Sequence, residues 1–185
     1  MTNPQHSQIL VVDDDKDVLL TAELLLKSKQ RGVHCLLNPS DMIAQLKRQF
    51  YDVVLLDMNF TQGLTGGEEG FYWLKMIKEL SPHTQIIMAT AYGEIDLAVE
   101  AIKQGASDFL VKPWDNEKLV STVNTCLALS HSKQKIDQLE QTQKTLSEKL
   151  EADFSQIIGE SSAIREVFDL IDKVAATDAS VLILG

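Results

Sequence analysis

Short apolar runs alternate with longer stretches in which apolar residues recur every three or four positions. Residues 8–12 form a β-branched run ending in acids, the pattern of a buried strand. Residues 15–29 follow, with Val18, Leu19, Ala22, Leu25 and Leu26 at helical spacing, which predicts an amphipathic helix. Gly32 ends the connection and a second strand is predicted over 33–37. Asn38-Pro39-Ser40 punctuates, and a second helix over 41–50 turns Met42, Ile43 and Leu46 inward. A third apolar strand over 52–56 again ends in an acid, Asp57. A glycine-rich loop over 59–70 leads into a third helix that runs through Leu80 and is broken by Ser81-Pro82. The fourth strand is expected over 85–90, the fourth helix over 93–105 with a closing glycine, the fifth strand over 107–111, and a fifth helix from Asp115.

Five strands alternating with five helices predict an α/β fold with a parallel sheet. Right-handed crossovers place helices on both faces. The usual solution at this size is a flavodoxin-like, doubly wound five-stranded sheet of order 2-1-3-4-5.

After about residue 116 the pattern changes. No helix stop occurs until well beyond Ser130, and Gln, Lys, Glu, Ser and Thr dominate residues 130–151. Leu129, Ile136, Leu139, Leu146 and Leu150 fall on the a and d positions of a heptad, with Ser132 and Gln143 as polar members. A single solvated linker helix fits this pattern, and so does a coiled coil. An isolated narrow stripe has nothing else to bury against, which favours a dimer. Residues 153–185 look globular again, with Ile164, Val167, Phe168 and Ile171 at helical spacing and a strand over 181–184. A segment of roughly 30 residues is too short for its own core. The expected division is therefore a domain over 1–127, a helical coiled-coil linker over 128–152, and the opening fragment of a second domain over 153–185.

Composition narrows the function classes. With 44% hydrophobic and 24% charged residues in 185, the chain is ordinary for a globular protein. Its formal net charge of −10 argues against direct binding to nucleic acid or anionic lipid. No apolar run approaches the roughly 20 residues of a membrane span, and residues 1–8 lack a signal-peptide core. A cytoplasmic location without membrane association is expected. Cys35 and Cys126 form no CxxC pair and read as buried or half-buried thiols. His6, His34, His83 and His131 show no metal-ligand spacing, so zinc is not indicated.

In a doubly wound sheet, ligands bind beyond the carboxyl ends of the strands. Those ends carry Asp13 and Asp14, Asp57, Thr90, and Lys112-Pro113. Clustered carboxylates repel one another and need compensation. Mg²⁺, a hard cation held by one or two carboxylates with waters and a phosphate, suits that task, and Lys112 adds a second positive charge. An aspartate so placed can attack phosphorus to give an aspartyl phosphate, and Thr90 can hydrogen-bond a phosphoryl oxygen. Each element has an ordinary structural reading as well: Asp14 or Asp15 as a helix N-cap, Asp57 as a polar strand end, Thr90 as a strand residue, and Lys112-Pro113 as a turn.

Together, Val11-Val12-Asp13-Asp14-Asp15, Leu55-Leu56-Asp57-Met58, Ala89-Thr90-Ala91 and Asp108-Phe109-Leu110-Val111-Lys112-Pro113 resemble the receiver domains of two-component response regulators, over residues 8–127. The resemblance implies that Asp57 takes a phosphoryl group from a histidine kinase. It implies that Asp14, Asp57 and the backbone carbonyl of Asn59 bind Mg²⁺, with Asp13 acting through water. It makes Lys112 a phosphate contact with a cis bond to Pro113, and Thr90 and Phe109 the switch pair. Phe109 has the alternative reading of a core strand residue. The loop over 59–70 is about five residues longer than the common family loop and lacks its proline, which leaves its conformation open.

Further on, Ile157-Ile158-Gly159-Glu160-Ser161, Val174-Ala175-Ala176-Thr177-Asp178 and Val181-Leu182-Ile183-Leu184-Gly185 resemble the start of the AAA+ domain of sigma-54-dependent activators, of the nitrogen-regulation type. By that resemblance a Walker A loop would begin at Gly185. The expectation is a receiver and linker belonging to a longer ATP-binding, DNA-binding transcription regulator that works with sigma-54 RNA polymerase. The chain itself would undergo only self-phosphorylation and slow self-dephosphorylation, and would dimerise through the linker helix and the receiver. Two alternatives stand beside this one. Asp57-Met58-Asn59-Phe60-Thr61 superficially resembles the nucleophile loop of haloacid-dehalogenase-type phosphatases, which place their nucleophile after the first strand of the core sheet. A degenerate receiver serving only as a dimerisation module is the other, and the full acidic set argues against it.

Overall fold

The computed structural model describes residues 7–28, 31–60, 67–91, 95–154, 161–175, 177 and 182. The elements run β1 (Ser7–Val12), α1 (Lys16–Leu26), β2 (Arg31–Leu36), a 3₁₀ turn (Pro39–Asp41), α2 (Met42–Arg48), β3 (Val53–Asp57), α3 (Glu68–Leu80), β4 (Gln85–Thr90), α4 (Ile95–Lys103), β5 (Asp108–Val111), α5 (Asn116–Phe154) and α6 (Ser162–Ala175). The chain divides into two compact units, Met1–Asp137 and Gln138–Gly185.

The N-terminal unit holds a five-stranded parallel sheet of order β2-β1-β3-β4-β5, the order expected from the sequence. Successive side chains of a strand face opposite sides, so the sheet carries two cores. Ile9, Val11, Val53, Leu55, Ile87, Ala89 and Leu110 pack on one side against Leu19, Ala22 and Leu26 of α1 and Leu119, Val123 and Cys126 of α5. Leu10, Val12, Val54, Leu56, Ile86 and Met88 pack on the other against Met42 of α2, Leu74 and Ile77 of α3, and Ala101 of α4. Burial on both faces explains why these strands are continuous apolar runs rather than alternating ones.

Several boundaries differ from expectation. Helix α1 stops at Leu26, where the Lys27 N–H still bonds the Glu23 carbonyl, and Ser28 bridges to Arg31. Gly32 belongs to β2, not to the turn, because the parallel ladder pairs it with Gln8. A Cβ there would lie 2.5 Å from Gln8 Oε1, so glycine suits the approach of that side chain. The second helix opens with the 3₁₀ turn, where Asn38 Oδ1 accepts the Ser40 N–H at 2.9 Å. Residues 92–94, the segment 155–160 and most of the strand expected over 181–184, with Gly185, lie outside the described residues. The thiols are as expected: Cys35 is half-buried, and Cys126 is buried with its pKa pushed up to about 11 by burial and by nearby Asp108.

Helix α5 extends the N-terminal unit to Asp137, past the boundary expected at residue 127. The cause is polar. Asp52, buried at the N-terminal end of β3, accepts hydrogen bonds from the Gln8 N–H at 2.8 Å, Ser130 Oγ at 3.1 Å and Gln134 Nε2 at 2.9 Å. His131 Nε2 lies 3.6 Å from the same carboxylate. Ser130, within the linker expected over 128–152, is fully buried. Beyond it, Ile136, Leu139 and Leu146 of the heptad stripe are exposed, as is Leu129 before it.

Candidate functional site

The three consecutive aspartates divide their work. Asp15 is the N-cap of α1, accepting the Asp17 and Val18 N–H groups on Oδ1 at 2.8 and 3.4 Å. That capping role removes it from the site. Asp13 and Asp14 precede the cap and remain at the carboxyl end of β1.

Main-chain bonds hold the neighbouring strand ends in place. The Asp13 N–H donates to the Leu36 carbonyl at 3.1 Å, the Met58 N–H to Ala89 at 2.8 Å, and the Lys112 N–H to Thr90 at 2.7 Å. Each ladder thus runs one residue past its strand. The result is convergence: Lys112 Nζ sits 2.6 Å from Asp13 Oδ2 and 2.9 Å from Asp57 Oδ1. Asp13, Asp14 and Asp57 each offer a carboxylate oxygen within 4.8 Å of the others. Asp13 and Asp57 are buried, whereas Asp14 is exposed. The Lys112–Pro113 peptide is cis.

Burial pushes the carboxyl groups of Asp13 and Asp57 above the ordinary carboxylate range, and the hydrogen bond and charge of Lys112 only partly oppose it. For Lys112, burial works downward, but the hydrogen bonds and charges of Asp13 and Asp57 outweigh it and the ammonium is raised. Three carboxylates, two of them buried, against this ammonium leave a negative excess. A divalent cation relieves that excess, and an all-oxygen donor set suits a hard ion. The residues therefore fit Mg²⁺.

The other expected residues take the following places. Thr90 is buried at the end of β4 and its carbonyl positions Lys112. Phe109, half-buried, pairs in register with Met88 and packs on the α2–α4 side. By strand alternation Thr90 lies on that same side. Asn59 is half-buried just beyond Asp57.

Residues 61–66 of the long loop lie outside the described residues, but its two ends are tied together. Asn59 Oδ1 accepts the Gly67 N–H at 3.1 Å, Glu69 Oε2 accepts the Phe60 N–H at 2.9 Å, and the Gly70 N–H donates to the Met58 carbonyl at 3.0 Å. Gly70 allows this closure: a Cβ there would stand 2.7 Å from Met58 Cα and 3.0 Å from its carbonyl oxygen. That backbone is pinned to β4 and cannot give way. Gly70→Ala is therefore expected to cost about 3 kcal/mol, the upper part of the range for overpacking. Urea unfolding of both proteins measures it, and a loss below about 1 kcal/mol would mean that α3 shifts freely.

Sequence reasoning did not foresee that Lys112 grips Asp13 as closely as Asp57, nor that Asp52 fastens α5. Both contacts join residues more than 70 positions apart or on non-adjacent strands, and no local pattern marks them.

The response regulator receiver domain family matches residues 9–124. The chain is 34% identical over 179 residues to the transcriptional regulatory protein ZraR of Salmonella typhimurium, covering 96% of this chain and 37% of ZraR. It is 31% identical over 181 residues to the DNA-binding transcriptional regulator NtrC of Escherichia coli, covering 98% of this chain and 36% of NtrC. The crystal structure of Brucella abortus NtrX in complex with ADP matches with a TM-score of 0.64 at 25% identity, over 92% of this chain and 35% of that one. The chain thus spans little more than a third of the length of the curated relatives it matches.

Proposed function

This chain belongs to the response regulator receiver domain family, and on that premise we propose that Asp57 accepts a phosphoryl group from a histidine kinase and so switches a longer transcription regulator. The observation that carries the reading is the bridge from Lys112 to both Asp13 and Asp57 at the carboxyl edge of the sheet. In the transfer, a carboxylate oxygen of Asp57 forms a bond to phosphorus. The bond from phosphorus to the donor's imidazole nitrogen breaks, and its electron pair stays with the imidazole. Lys112 then exchanges its contact with Asp57 for a phosphoryl oxygen, and the Thr90 hydroxyl donates to another.

Asp14, Asp57 and the Asn59 carbonyl would hold Mg²⁺ directly, and Asp13 through water. When bound, the ion offsets the charge that gathers between carboxylate and phosphoryl group. The phosphoryl group draws Thr90 inward with Phe109 following, a two-state element biased by a local charge. The α4–β5–α5 face changes as a result, and α5 carries the change into the linker. The similarity to ZraR and NtrC supports a place in a cytoplasmic sigma-54-dependent activator, in which this segment governs an AAA+ ATPase and, through it, sigma-54 RNA polymerase at DNA.

Incubation with a small acyl phosphate and Mg²⁺ tests the core of this reading. One phosphoryl group per chain is expected, blocked by EDTA. Sustained turnover of many phosphoesters would overturn it in favour of a phosphatase.

The exposed stripe of α5 supports a homodimer through the linker helix. Leu139→Asp places a charge in that seam, and light scattering is expected to give a dimeric wild type and a monomeric variant at the same concentration. Identical masses for the two would remove the seam from the dimer.

A further inference from the structure

The phosphorylation reading assigns Asn59 a metal ligand on its main chain, but says nothing of what aims that carbonyl. The carbonyl of Asn59 and the N–H of Phe60 belong to one peptide group. That group is planar and trans, so its C=O and N–H point in opposite directions. The N–H end is anchored: Glu69 Oε2, from the first turn of α3, accepts it at 2.9 Å. Fixing one end of a rigid plane fixes the other.

From this geometry we propose that Glu69 is a positioning residue for the metal site, acting through the Asn59–Phe60 peptide. The inference rests on the receiver reading of the site. Glu69 does so in two ways. It sets the direction of the Asn59 carbonyl, which lies on the edge of the peptide away from the carboxylate. It also polarises the peptide, because a carboxylate drawing on the N–H raises electron density on the carbonyl oxygen and makes it a better donor to a hard cation. Outer contacts of this kind orient ligands and tune their basicity in metal sites generally.

The surrounding contacts favour a rigid arrangement. On the near side, the Met58 N–H is held by Ala89 and its carbonyl by the Gly70 N–H. The Asn59 side chain is held by the Gly67 N–H. Gly67 has a left-handed φ of 69°, and a Cβ there would lie 2.5 Å from Met58 Cε, so the start of α3 sits close against the chain that follows Asp57. Of the two peptides that flank Asn59, the one bearing the expected ligand is the one whose N–H goes to Glu69.

The experiment is Mg²⁺ titration by calorimetry on the full chain, for wild type, Glu69→Met, Glu69→Ala and Glu69→Gln, with thermal unfolding in EDTA as the control on folding. Methionine matches the length of glutamate and forms helix well, but accepts no comparable hydrogen bond. Glutamine keeps an acceptor without the charge. Glu69→Met and Glu69→Ala are expected to weaken Mg²⁺ binding about ten-fold while the metal-free unfolding temperature stays near that of wild type. Glu69→Gln is expected to recover most of the affinity. Should either Glu69→Met or Glu69→Ala not fold, the other carries the comparison. Wild-type affinity in a folded Glu69→Met or Glu69→Ala chain overturns the proposal and leaves the receiver reading intact. A wild-type chain that binds no Mg²⁺ overturns both. A loss in Glu69→Gln equal to that in Glu69→Ala overturns the aiming role and ascribes the effect to charge alone.

Discussion

The Asp57→Asn chain is expected to take up no phosphoryl group under conditions in which the wild type takes up one. Asparagine has nearly the same shape, and its amide oxygen can still accept from Lys112 Nζ, which lies 2.9 Å from Asp57 Oδ1. Loss of labelling would therefore be chemical, since a neutral amide is a far poorer nucleophile than a carboxylate. The neighbouring acids are not substitutes. Asp13 has Oδ1 engaged by the Asp15 N–H at 3.1 Å and Oδ2 on Lys112, and Asp14, exposed but with a carboxylate oxygen within 4.8 Å of theirs, is the expected metal ligand. Mass spectrometry after acyl-phosphate treatment decides the matter. Label retained in the variant and mapped to Asp13 or Asp14 would transfer the acceptor role, and unchanged near-ultraviolet dichroism would show that the fold is intact.

A large structural effect is expected at the opposite end of the sheet. Asp52→Ala is expected to destabilise the N-terminal unit by about 3 kcal/mol, since hydrogen bonds to a charged group are worth roughly 1.5–3 kcal/mol and stranded donors add to the loss. The carboxylate serves the Gln8 N–H, Ser130 Oγ and Gln134 Nε2 together. Of these donors Ser130 is fully buried, so it has no water to turn to. The nearby pair of His83 and Asp137 is half-exposed and contributes little. Asp52→Asn, which keeps an acceptor, is expected to lose less. Denaturant unfolding gives the energies. Hydrogen exchange gives the place, with the amides over 130–137 exchanging faster in the alanine variant. Unchanged exchange there would mean that α5 is held by its apolar contacts alone.

These two sites differ in how far the sequence reveals them. Asp13, Asp57, Thr90 and Lys112 are legible because a parallel sheet puts every strand's carboxyl end on one edge, so reading strand ends is reading the site. The sheet order is legible for the same reason: apolar runs of four to six residues alternate with helical periodicity throughout the N-terminal unit. Asp52 is not legible. It precedes an apolar strand as any polar residue could, and its partners on α5 sit in a stretch whose composition reads as solvated. The polar character of Ser130 and Gln134 is real, but it is spent on a buried acid rather than on water. Helix limits were blurred where a local signal met a tertiary one. Gly32 looked like a turn and became strand because β1 lay beside it. The acidic triplet allowed a cap at Asp14 or Asp15, and only the backbone geometry selects Asp15.

The arrival of Lys112 on an edge strand bears on how the molecule folds. β1, β3 and β4 are contiguous in the sheet, and β5 joins only through β4. A partly folded species lacking β5 would bring Asp13, Asp14 and Asp57 together with no ammonium among them. The mutual repulsion of those acids is relieved when the last strand docks, so intermediates with a frayed edge are penalised relative to the complete sheet. The charge arrangement at the carboxyl edge thereby also couples the outermost strand to the centre, and favours all-or-none folding of the unit.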